Sequence, residues 1–188
     1  MMDHYIDILL LPDPEFPASM LMGALYNKLH KALVVLDSRD IGISFPQYQL
    51  KPRNLGQSMR LHASEKRLHK LMAENWLQGM RDHVHVSGVM PIPEVAQHCV
   101  VSRRQFKTNA DRLRRRRMQR KGESYEQAVQ AIPHSIERKP NLPFVMLRSQ
   151  STGQAFALFI AQSEVLSEPL QGSFNTYGLG QNASIPWF

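Results

Sequence analysis

The order of strand-like and helix-like segments in the first 90 residues constrains the fold of this chain most. Residues 4–11 are rich in apolar and β-branched side chains and end at a Pro-Asp-Pro turn, which predicts a strand. Residues 18–36 repeat apolar side chains every three or four positions, which predicts a helix. In chain order, the predicted segments are strand 4–11, helix 18–36, strands 41–45 and 58–63, a helix capped by Ser64, and strand 83–89. This β-α-β-β-α-β order predicts an α+β protein whose N-terminal domain, residues 1–94, is ferredoxin-like, with four strands and both helices on one face.

The remaining chain, residues 95–188, is expected to form a smaller C-terminal domain that begins after the Pro-Ile-Pro sequence at 91–93. A helix of about residues 109–121 is predicted there, because Asn109 is a good N-cap and Gly122 a good stop. A capping-box pattern beginning at Ser124 predicts a second, shorter helix. The remaining segments favour strands and β-hairpins, at 99–101, 144–148, 156–160 and 173–179.

Basic residues are concentrated in one segment. Residues 103–121 contain ten Lys or Arg residues against one acid, Asp111, a net charge of +9. The other residues contain 13 basic and 15 acidic side chains, a net charge of −2. The net charge of +7 of the whole chain therefore comes from this one segment. A field that is so localised indicates a nucleic-acid-binding element.

Within this segment, helical periodicity places five polar residues on one side of the predicted helix. They are Arg112, Arg115, Arg116, Gln119 and Arg120. Guanidinium groups bind phosphates and match the O6 and N7 edge of guanine, and the residue types of Arg103 and Gln105, just before the helix, also read base edges. The alternative is a solvated helix face, but such a face usually pairs its cations with acids, and this segment has one. Charge alone leaves RNA and DNA open.

Two histidine positions are candidates for chemistry. His30 lies nine residues after Leu21, half a turn from the apolar stripe of its helix, and is therefore expected to face solvent or a partner. An imidazole that titrates near neutral pH is a suitable general base, although a surface histidine without a role is the more common case. His83 and His85 are spaced to share one strand face, but the sequence supplies no evident third ligand, so no metal site is expected.

Hydroxyl groups near a predicted turn are the second candidate site. Ser149 and Ser151 are two positions apart and are expected on one strand face, next to a Thr-Gly turn. Such hydroxyls contact ribose or phosphate, or simply form the turn. The chain has neither a Gly-x-Ser-x-Gly elbow, nor a phosphate-binding loop with Lys, nor an acidic cluster for magnesium. A nuclease built on these residues is therefore expected to need neither metal nor other cofactor.

The cysteine content and the hydropathy of the chain indicate its cellular compartment. Cys99 is the single cysteine, which excludes an internal disulfide and a multi-thiolate zinc site. No apolar run reaches the roughly 18 residues of a membrane helix, and the N-terminus lacks a basic signal-peptide region. A reducing cytoplasm and no membrane association are expected.

Short motifs from both ends of the chain resemble a known family, the CRISPR repeat-RNA endoribonucleases of the type I-F systems. The combination of the Leu-Arg-Ser-Gln-Ser-Thr-Gly-Gln sequence with the terminal Pro-Trp-Phe is the most specific part of this resemblance. The matching motifs are Met2-Asp3-His4-Tyr5, Pro12-Asp13-Pro14-Glu15-Phe16-Pro17, Lys28-Leu29-His30, Val101-Ser102-Arg103-x-Gln105-x-Lys107, Arg112-Leu113-Arg114-Arg115-Arg116, Leu142-Pro143-Phe144-Val145, Leu147 to Gln154, Tyr177-Gly178-Leu179 and Pro186-Trp187-Phe188.

The resemblance implies an enzyme that binds the stem-loop of each CRISPR repeat and cuts the precursor transcript at the 3′ base of the stem without metal. His30 matches the family's catalytic histidine, which acts as general base on the ribose 2′-hydroxyl. Ser149 matches the serine that holds this ribose, and Tyr177 a tyrosine that helps to order the site. The expected products are a 2′,3′-cyclic phosphate and a 5′-hydroxyl.

The resemblance also implies the RNA contacts. Ser151 and Thr152 lie where the family contacts RNA near the scissile phosphate, and Phe156 matches the aromatic that stacks under the last base pair. Arg103 and Gln105 match a pair that reads bases at the bottom of the stem, within a segment that also contains Lys107. The arginine helix would lie in the major groove, with Arg112, Arg115, Arg116 and Arg120 as its contact face.

Two positions depart from the family pattern. Gln119 stands where the family carries a basic residue, which puts that RNA contact in doubt, and Arg117 stands where it carries an apolar one. By resemblance, the enzyme stays on its product and joins other protein subunits in a type I-F surveillance complex. The alternative hypothesis is an RNA-hairpin-binding structural subunit of that complex for which cleavage is secondary.

Overall fold

A computed structural model describes residues 2–106, 109–136 and 140–188. Over these residues the chain is a mixed α/β protein with four helices and twelve strands. The helices are α1 (Ala18–Val35), α2 (Glu65–Ala73), α3 (Ala110–Lys121) and α4 (Tyr125–Ala131). The strands are β1 (His4–Leu10), β2 (Gly42–Ser44), β3 (Gln49–Leu50), β4 (Arg53–Asn54), β5 (Ser58–Ala63), β6 (Val84–Val86), β7 (Met90–Pro91), β8 (Gln97–Cys99), β9 (Val101–Arg104), β10 (Phe144–Arg148), β11 (Ala155–Gln162) and β12 (Ile185–Trp187).

The chain divides into two compact units. The first unit contains Met1–Arg104 and Leu142–Phe188, and the second contains Gln105–Asn141. These bounds differ from the expected division after residue 94, which lies inside the first unit. The physical reason is packing across residue 94, because β10 meets α1, the Ile43 N–H donates to the Gly178 carbonyl and the Phe174 N–H donates to the Arg39 carbonyl.

The larger sheet of the first unit has the strand order β2-β5-β1-β6, with every neighbouring pair antiparallel. Its central strand, β1, buries Ile6, Ile8 and Leu10 on one face, as the alternation of a strand requires. Helix α1 buries the apolar stripe that includes Leu25 and Leu29, both fully buried. The strands and helices predicted from the first 90 residues are confirmed, with boundaries shifted by a few residues.

A second sheet of the first unit has the order β10-β11-β9 and meets α1 at its β10 edge. Gly23 makes this contact possible, because a Cβ atom there would lie 2.6 Å from the carbonyl oxygen of Met146. One turn later along α1, the side-chain oxygen of Asn27 accepts a hydrogen bond from the backbone N–H of Arg148, at 3.3 Å. The helix thus covers the free edge of β10, which would otherwise expose unpaired backbone groups.

The second unit contains α3 and α4 with the predicted caps. The Asn109 side chain accepts the N–H of Arg112 at 2.7 Å, and Gly122 ends α3 with a left-handed φ of 66°. Ser124 and Gln127 form the predicted capping box at the start of α4. Because these motifs depend on residues three positions apart, the local sequence was enough to predict them.

The predicted strand at 173–179 is wrong. This segment is a turn with one isolated bridge, between Phe174 and Gly180. The side-chain oxygen of Asn175 accepts the N–H groups of Tyr177 and Leu179, so these donors are not available to a sheet.

Of the helices in the described ranges, none is both long and apolar enough to cross a lipid bilayer.

Candidate functional site

His30 is fixed through one ring nitrogen. It lies on α1, half-buried, and its Nδ1 is 2.7 Å from the carbonyl oxygen of Thr176. A carbonyl oxygen only accepts hydrogen bonds, so Nδ1 carries the hydrogen and the lone pair of the neutral ring is on Nε2. His30 is therefore held in the tautomer in which Nε2 is able to accept a proton.

Tyr177 holds the other side of the imidazole. Its ring is stacked on that of His30, with centroids 3.9 Å apart and an interplanar angle of 5°. The hydroxyl of Tyr26 donates to the Tyr177 carbonyl at 2.8 Å. Because burial raises the pKa of Tyr26 well above its usual range, this hydroxyl stays protonated as a donor. Tyr26 is a residue that sequence reasoning missed, since no local pattern marks a tyrosine on this helix as more than core and its partner lies 151 positions away.

Arg103 extends this cluster. Its guanidinium carbon lies 5.9 Å from the ring centroid of Phe156 and 5.9 Å from that of Tyr177, so the cation contacts both aromatic faces. Arg103 is exposed and Phe156 is half-buried. The structure thus brings four of the predicted site residues together, namely His30, Tyr177, Arg103 and Phe156.

The second cluster lies in the turn between β10 and β11. The hydroxyl oxygens of Ser149 and Ser151 are 3.2 Å apart, and the N–H of Thr152 donates to Ser149 Oγ at 3.3 Å. The backbone N–H of Ser149 donates to the carbonyl of Gln154, and the backbone N–H of Gly153 donates to the carbonyl of Ser149. These two bonds close the turn. The expectation that the two serines share a strand face is wrong, because β10 ends at Arg148 and the turn itself brings the hydroxyls together.

Helix α1 connects the two clusters. It carries His30, and its Asn27 side chain holds the backbone N–H of Arg148, the residue before Ser149. Asn27 is a second residue that sequence reasoning missed. No local pattern marks it, since its partner is 121 positions away.

In the second unit, α3 shows the predicted polar face. The five predicted residues of this face are all exposed, and they are Arg112, Arg115, Arg116, Gln119 and Arg120. Gln105 is also exposed. Lys107, predicted as a further contact, lies outside the described residues. The exposed guanidinium groups are available to an anionic ligand.

Two other arginines of α3 have structural partners. Arg114 is fully buried and donates to the carboxylate of Asp111 at 2.8 Å, to the carbonyl of Ile132 at 2.9 Å and to Nε2 of His134 at 3.1 Å. Arg114 therefore fixes α3 to the segment after α4. Its position off the polar stripe, three residues after Asp111, was the available signal for this role.

Arg117 is half-buried and forms a two-point ion pair with Glu123. The hydrogen bonds between them raise the pKa of Arg117 and lower the pKa of Glu123. Arg117 is thus occupied within the second unit.

His83 and His85 have different surroundings. His83 Nδ1 lies 2.9 Å from the carboxylate of Asp13, and His85 is exposed. Over the ranges 2–106, 109–136 and 140–188, no group of three or more His, Cys, Asp or Glu side chains is arranged to hold a metal ion.

Fold and site define an α/β protein with a histidine-centred polar site and an arginine-rich helix. A family model described as "CRISPR-associated protein (Cas_Csy4)" matches residues 5–188. The CRISPR-associated endonuclease Cas6/Csy4 of Pseudomonas aeruginosa (strain UCBPP-PA14) is 46% identical over 187 residues, covering 100% of both chains. The protein of the same name from Escherichia coli (strain UTI89) is 43% identical over 187 residues, again covering 100% of both.

A solved structure titled "An RAMP protein binding different RNA substrates" covers 98% of this chain and 100% of its own. Its identity is 14% and its TM-score 0.34, a likeness too weak to carry an argument. The family model and the two full-length relatives show that this chain belongs to the Cas_Csy4 family of CRISPR-associated proteins.

Proposed function

We propose that this protein is a metal-independent, sequence- and structure-specific endoribonuclease. It binds the stem-loop of the CRISPR repeat, cleaves the precursor RNA at the 3′ base of the stem through the 2′-hydroxyl, and stays bound to the mature guide RNA. Membership of a family whose full-length relatives are named endonucleases supports this proposal. The observation that carries it is the hydrogen bond from His30 Nδ1 to Thr176, which leaves Nε2 as a proton acceptor.

The chemistry needs few groups from the protein. His30 Nε2 takes the proton of the 2′-hydroxyl before the cut, and the 2′-oxygen attacks the adjacent phosphorus. The bond to the 5′-oxygen of the next nucleotide breaks, and this oxygen acquires a proton from water. The products are a 2′,3′-cyclic phosphate and a 5′-hydroxyl. General-base catalysis supplies about 10²–10⁴-fold, so the alignment of nucleophile and phosphate supplies much of the rest.

In this proposal, Ser149 holds the attacking ribose, and Ser151 and Thr152 contact RNA near the scissile phosphate. Their shared turn supports this assignment, because it presents three hydroxyl side chains within one short loop. Tyr177 orders the imidazole through their stacking at 3.9 Å.

The stem is bound by aromatic and basic residues. Phe156 stacks under its last base pair, Arg103 and Gln105 read base edges at its bottom, and Lys107 contributes a further contact. The contact face of α3 lies in the major groove, and its exposure supports this role. The face consists of Arg112, Arg115, Arg116 and Arg120.

We further propose that the first 94 residues supply a ferredoxin-like part of the first unit that carries His30, and that residues 95–188, which are shared between the two units, serve RNA binding. The antiparallel order β2-β5-β1-β6 supports the first assignment, since it arises from the β-α-β-β-α-β chain order. By family membership, other protein subunits of a type I-F surveillance complex are the expected partners, in the cytoplasm.

The test is cleavage of a repeat hairpin in EDTA with ribose or 2′-deoxyribose at the nucleotide before the cut. The ribose substrate should give a cyclic phosphate end, and the deoxyribose substrate should bind equally well but remain intact. Cleavage of the deoxyribose substrate, or a requirement for metal, would refute the proposed mechanism. Binding of both RNAs without cleavage of either would instead favour the alternative, a structural hairpin-binding subunit.

A further inference from the structure

The peptide group between Thr176 and Tyr177 is hydrogen-bonded at both ends. Its carbonyl oxygen accepts the Nδ1–H of His30 at 2.7 Å, and its N–H donates to the side-chain oxygen of Asn175 at 2.8 Å. A trans peptide group is planar, and its C=O and N–H point in opposite directions. The side chain that fixes the direction of the N–H therefore also fixes the direction of the carbonyl that meets His30.

The Asn175 side chain is in turn fixed by the turn that it forms. Its oxygen accepts the N–H of Leu179 at 3.2 Å as well, and Asn175 is half-buried. The backbone N–H of Asn175 donates to the Leu179 carbonyl at 3.0 Å, and its carbonyl accepts the N–H of Gly178 at 2.8 Å. Asparagine suits this position because its short side chain bonds to a backbone N–H two residues on. The acceptor oxygen is thus in place before any ligand binds.

Asn175 also acts on the ring that stacks on the imidazole. The N–H of Tyr177 donates to Asn175, and the carbonyl of Tyr177 accepts the hydroxyl of Tyr26 at 2.8 Å. Side chains therefore hold the backbone on both sides of the Tyr177 Cα. The ring that extends from this Cα lies parallel to the His30 ring at 3.9 Å. Two contacts of the imidazole, one at its edge and one on its face, depend on the same asparagine.

The tautomer of His30 depends on this arrangement. A histidine whose Nδ1 has a fixed acceptor keeps its lone pair on Nε2, whereas a histidine without one exchanges between both tautomers. The two hydrogen bonds share one amide group, so each polarises that group and strengthens the other. Loss of the Asn175 oxygen should therefore weaken the bond at Nδ1 and turn the carbonyl away from the imidazole.

We propose that Asn175 is a positioning residue for RNA cleavage, which acts on His30 through the Thr176–Tyr177 peptide group. The inference rests on the proposed function, in which Nε2 of His30 is the general base. Asn175 keeps this nitrogen free of hydrogen and keeps the ring in one orientation. The role therefore concerns the rate of cleavage and not the affinity for RNA.

The experiment compares the unmodified protein with Asn175→Ala and Asn175→Asp. Single-turnover cleavage of a repeat hairpin is measured in EDTA at saturating protein, and nitrogen NMR of the free protein reports which nitrogen of His30 carries the hydrogen. Asn175→Ala should cleave about 10–100-fold more slowly, as for residues that orient metal-binding histidines, with hairpin affinity within a few-fold. Its His30 should be a mixture of tautomers. Asn175→Asp retains an acceptor oxygen and should restore both the rate and the single Nδ1–H tautomer.

The matched control is Asn54→Ala. The side-chain oxygen of Asn54 accepts the N–H of Gly56, also two positions on and also at 2.8 Å, within the first unit. This substitution removes the same kind of hydrogen bond from another turn. It should leave the cleavage rate and the His30 tautomer unchanged.

A mixture of His30 tautomers in the unmodified protein would overturn the inference, and this measurement needs no variant that has to fold. A normal rate and tautomer in Asn175→Ala would overturn it as well. So would a rate loss that leaves the tautomer unchanged, or an equal loss in Asn54→Ala.

The two proposals fail in different ways. If the unmodified protein cleaves the hairpin and Asn175→Ala cleaves it equally well, only the role of Asn175 is wrong. If the unmodified protein does not cleave, the proposed nuclease function fails, and the His30 tautomer in Asn175→Ala still decides whether Asn175 positions the imidazole.

Discussion

The surroundings of His30 and the arginine face of α3 solve different physical problems. His30 is held on two sides, by the Thr176 carbonyl at 2.7 Å and by the Tyr177 ring at 3.9 Å. The arginines of the α3 face are exposed side chains whose helix is fixed from behind by the buried Arg114. Proton transfer depends on one atom in one place, whereas phosphate binding depends on the number of charges. Changes near His30 should therefore alter rate, and changes on α3 should alter affinity.

The largest expected effect is on cleavage by His30→Ala. Removal of the proposed base should lower the single-turnover cleavage rate by at least about 10²–10⁴-fold, while hairpin affinity stays within a few-fold. The measurement is single-turnover cleavage and binding of one hairpin in EDTA. His69→Ala, which removes an exposed histidine on α2, is the control and should cleave normally. A His30→Ala protein that cuts at nearly the unmodified rate would exclude His30 as the base.

Ser149→Ala tests the second cluster. We expect cleavage to slow about 100-fold with little change in affinity, because a displacement of the nucleophile by about 1 Å has that effect on rate. Rate and binding constants are measured separately in the same assay, with Ser19→Ala on the exposed side of α1 as the control. Normal cleavage by Ser149→Ala would mean that this serine only shapes the turn.

The stability of the first unit should depend on a buried histidine. His62 is fully buried with its Nε2 2.8 Å from Ser44 Oγ, and burial lowers its pKa from 6.5 to about 3. Below pH 6.5 the unfolded chain binds a proton that the folded chain does not bind until about pH 3, so acid favours unfolding. From pH 7 to pH 5, His62 should lower the free energy of unfolding by about 2 kcal/mol.

Denaturant unfolding at both pH values measures this effect. His62→Gln keeps a neutral partner for Ser44 and should show an acid-induced loss that is smaller by about 2 kcal/mol. His69→Gln, at an exposed position, should behave as the unmodified protein. An equal acid-induced loss in all three proteins would show that His62 is not the titrating group.

The smallest expected effect concerns the arginine face. Arg116→Ala/Arg120→Ala should reduce the slope of log affinity against log salt by about 1.4–1.8 if both side chains contact phosphates. If one of them reads a guanine edge instead, its loss should weaken binding by about 1–3 kcal/mol and relax discrimination at one base pair. Affinity is measured across salt concentrations for the cognate hairpin and for one with a swapped pair.

The control for this pair is Lys66→Ala/Lys70→Ala, which removes the same charge from α2 and should leave the slope unchanged. An unchanged slope and affinity in the arginine variant would show that this face is turned to solvent, and the contrast between the two regions would then be lost.

The sequence could predict contacts between residues that are close together in the chain, but not contacts between residues that are far apart in it. The Asn109 cap, the Gly122 stop and the Ser124 capping box depend on neighbours within four positions, and all three were predictable. The exposed face of α3 followed from helical periodicity alone. Family resemblance, and not spacing, indicated the roles of Ser149 and Tyr177, and these roles remain predictions.

The remaining contacts join distant positions. The bond from His30 to Thr176 spans 146 positions and the bond from Tyr26 to Tyr177 spans 151, so no local pattern encodes them. The segment at 173–179 was mistaken for a strand because its apolar and aromatic residues suit one. The segment forms a turn instead, because the side chain of Asn175 accepts two of its backbone N–H groups.

The second unit is an insertion in the chain of the first, between β9 and β10. Arg104, at the end of β9, and Phe144, at the start of β10, both pair with Phe159 on the intervening strand β11. They lie on opposite sides of β11, two strand spacings or about 10 Å apart, so the connection between them crosses one face of β11 and needs on the order of a dozen residues. The second unit therefore begins and ends at two backbone positions that the pairing with β11 fixes, and the hydrogen bond from His30 to Thr176 lies entirely within the first unit.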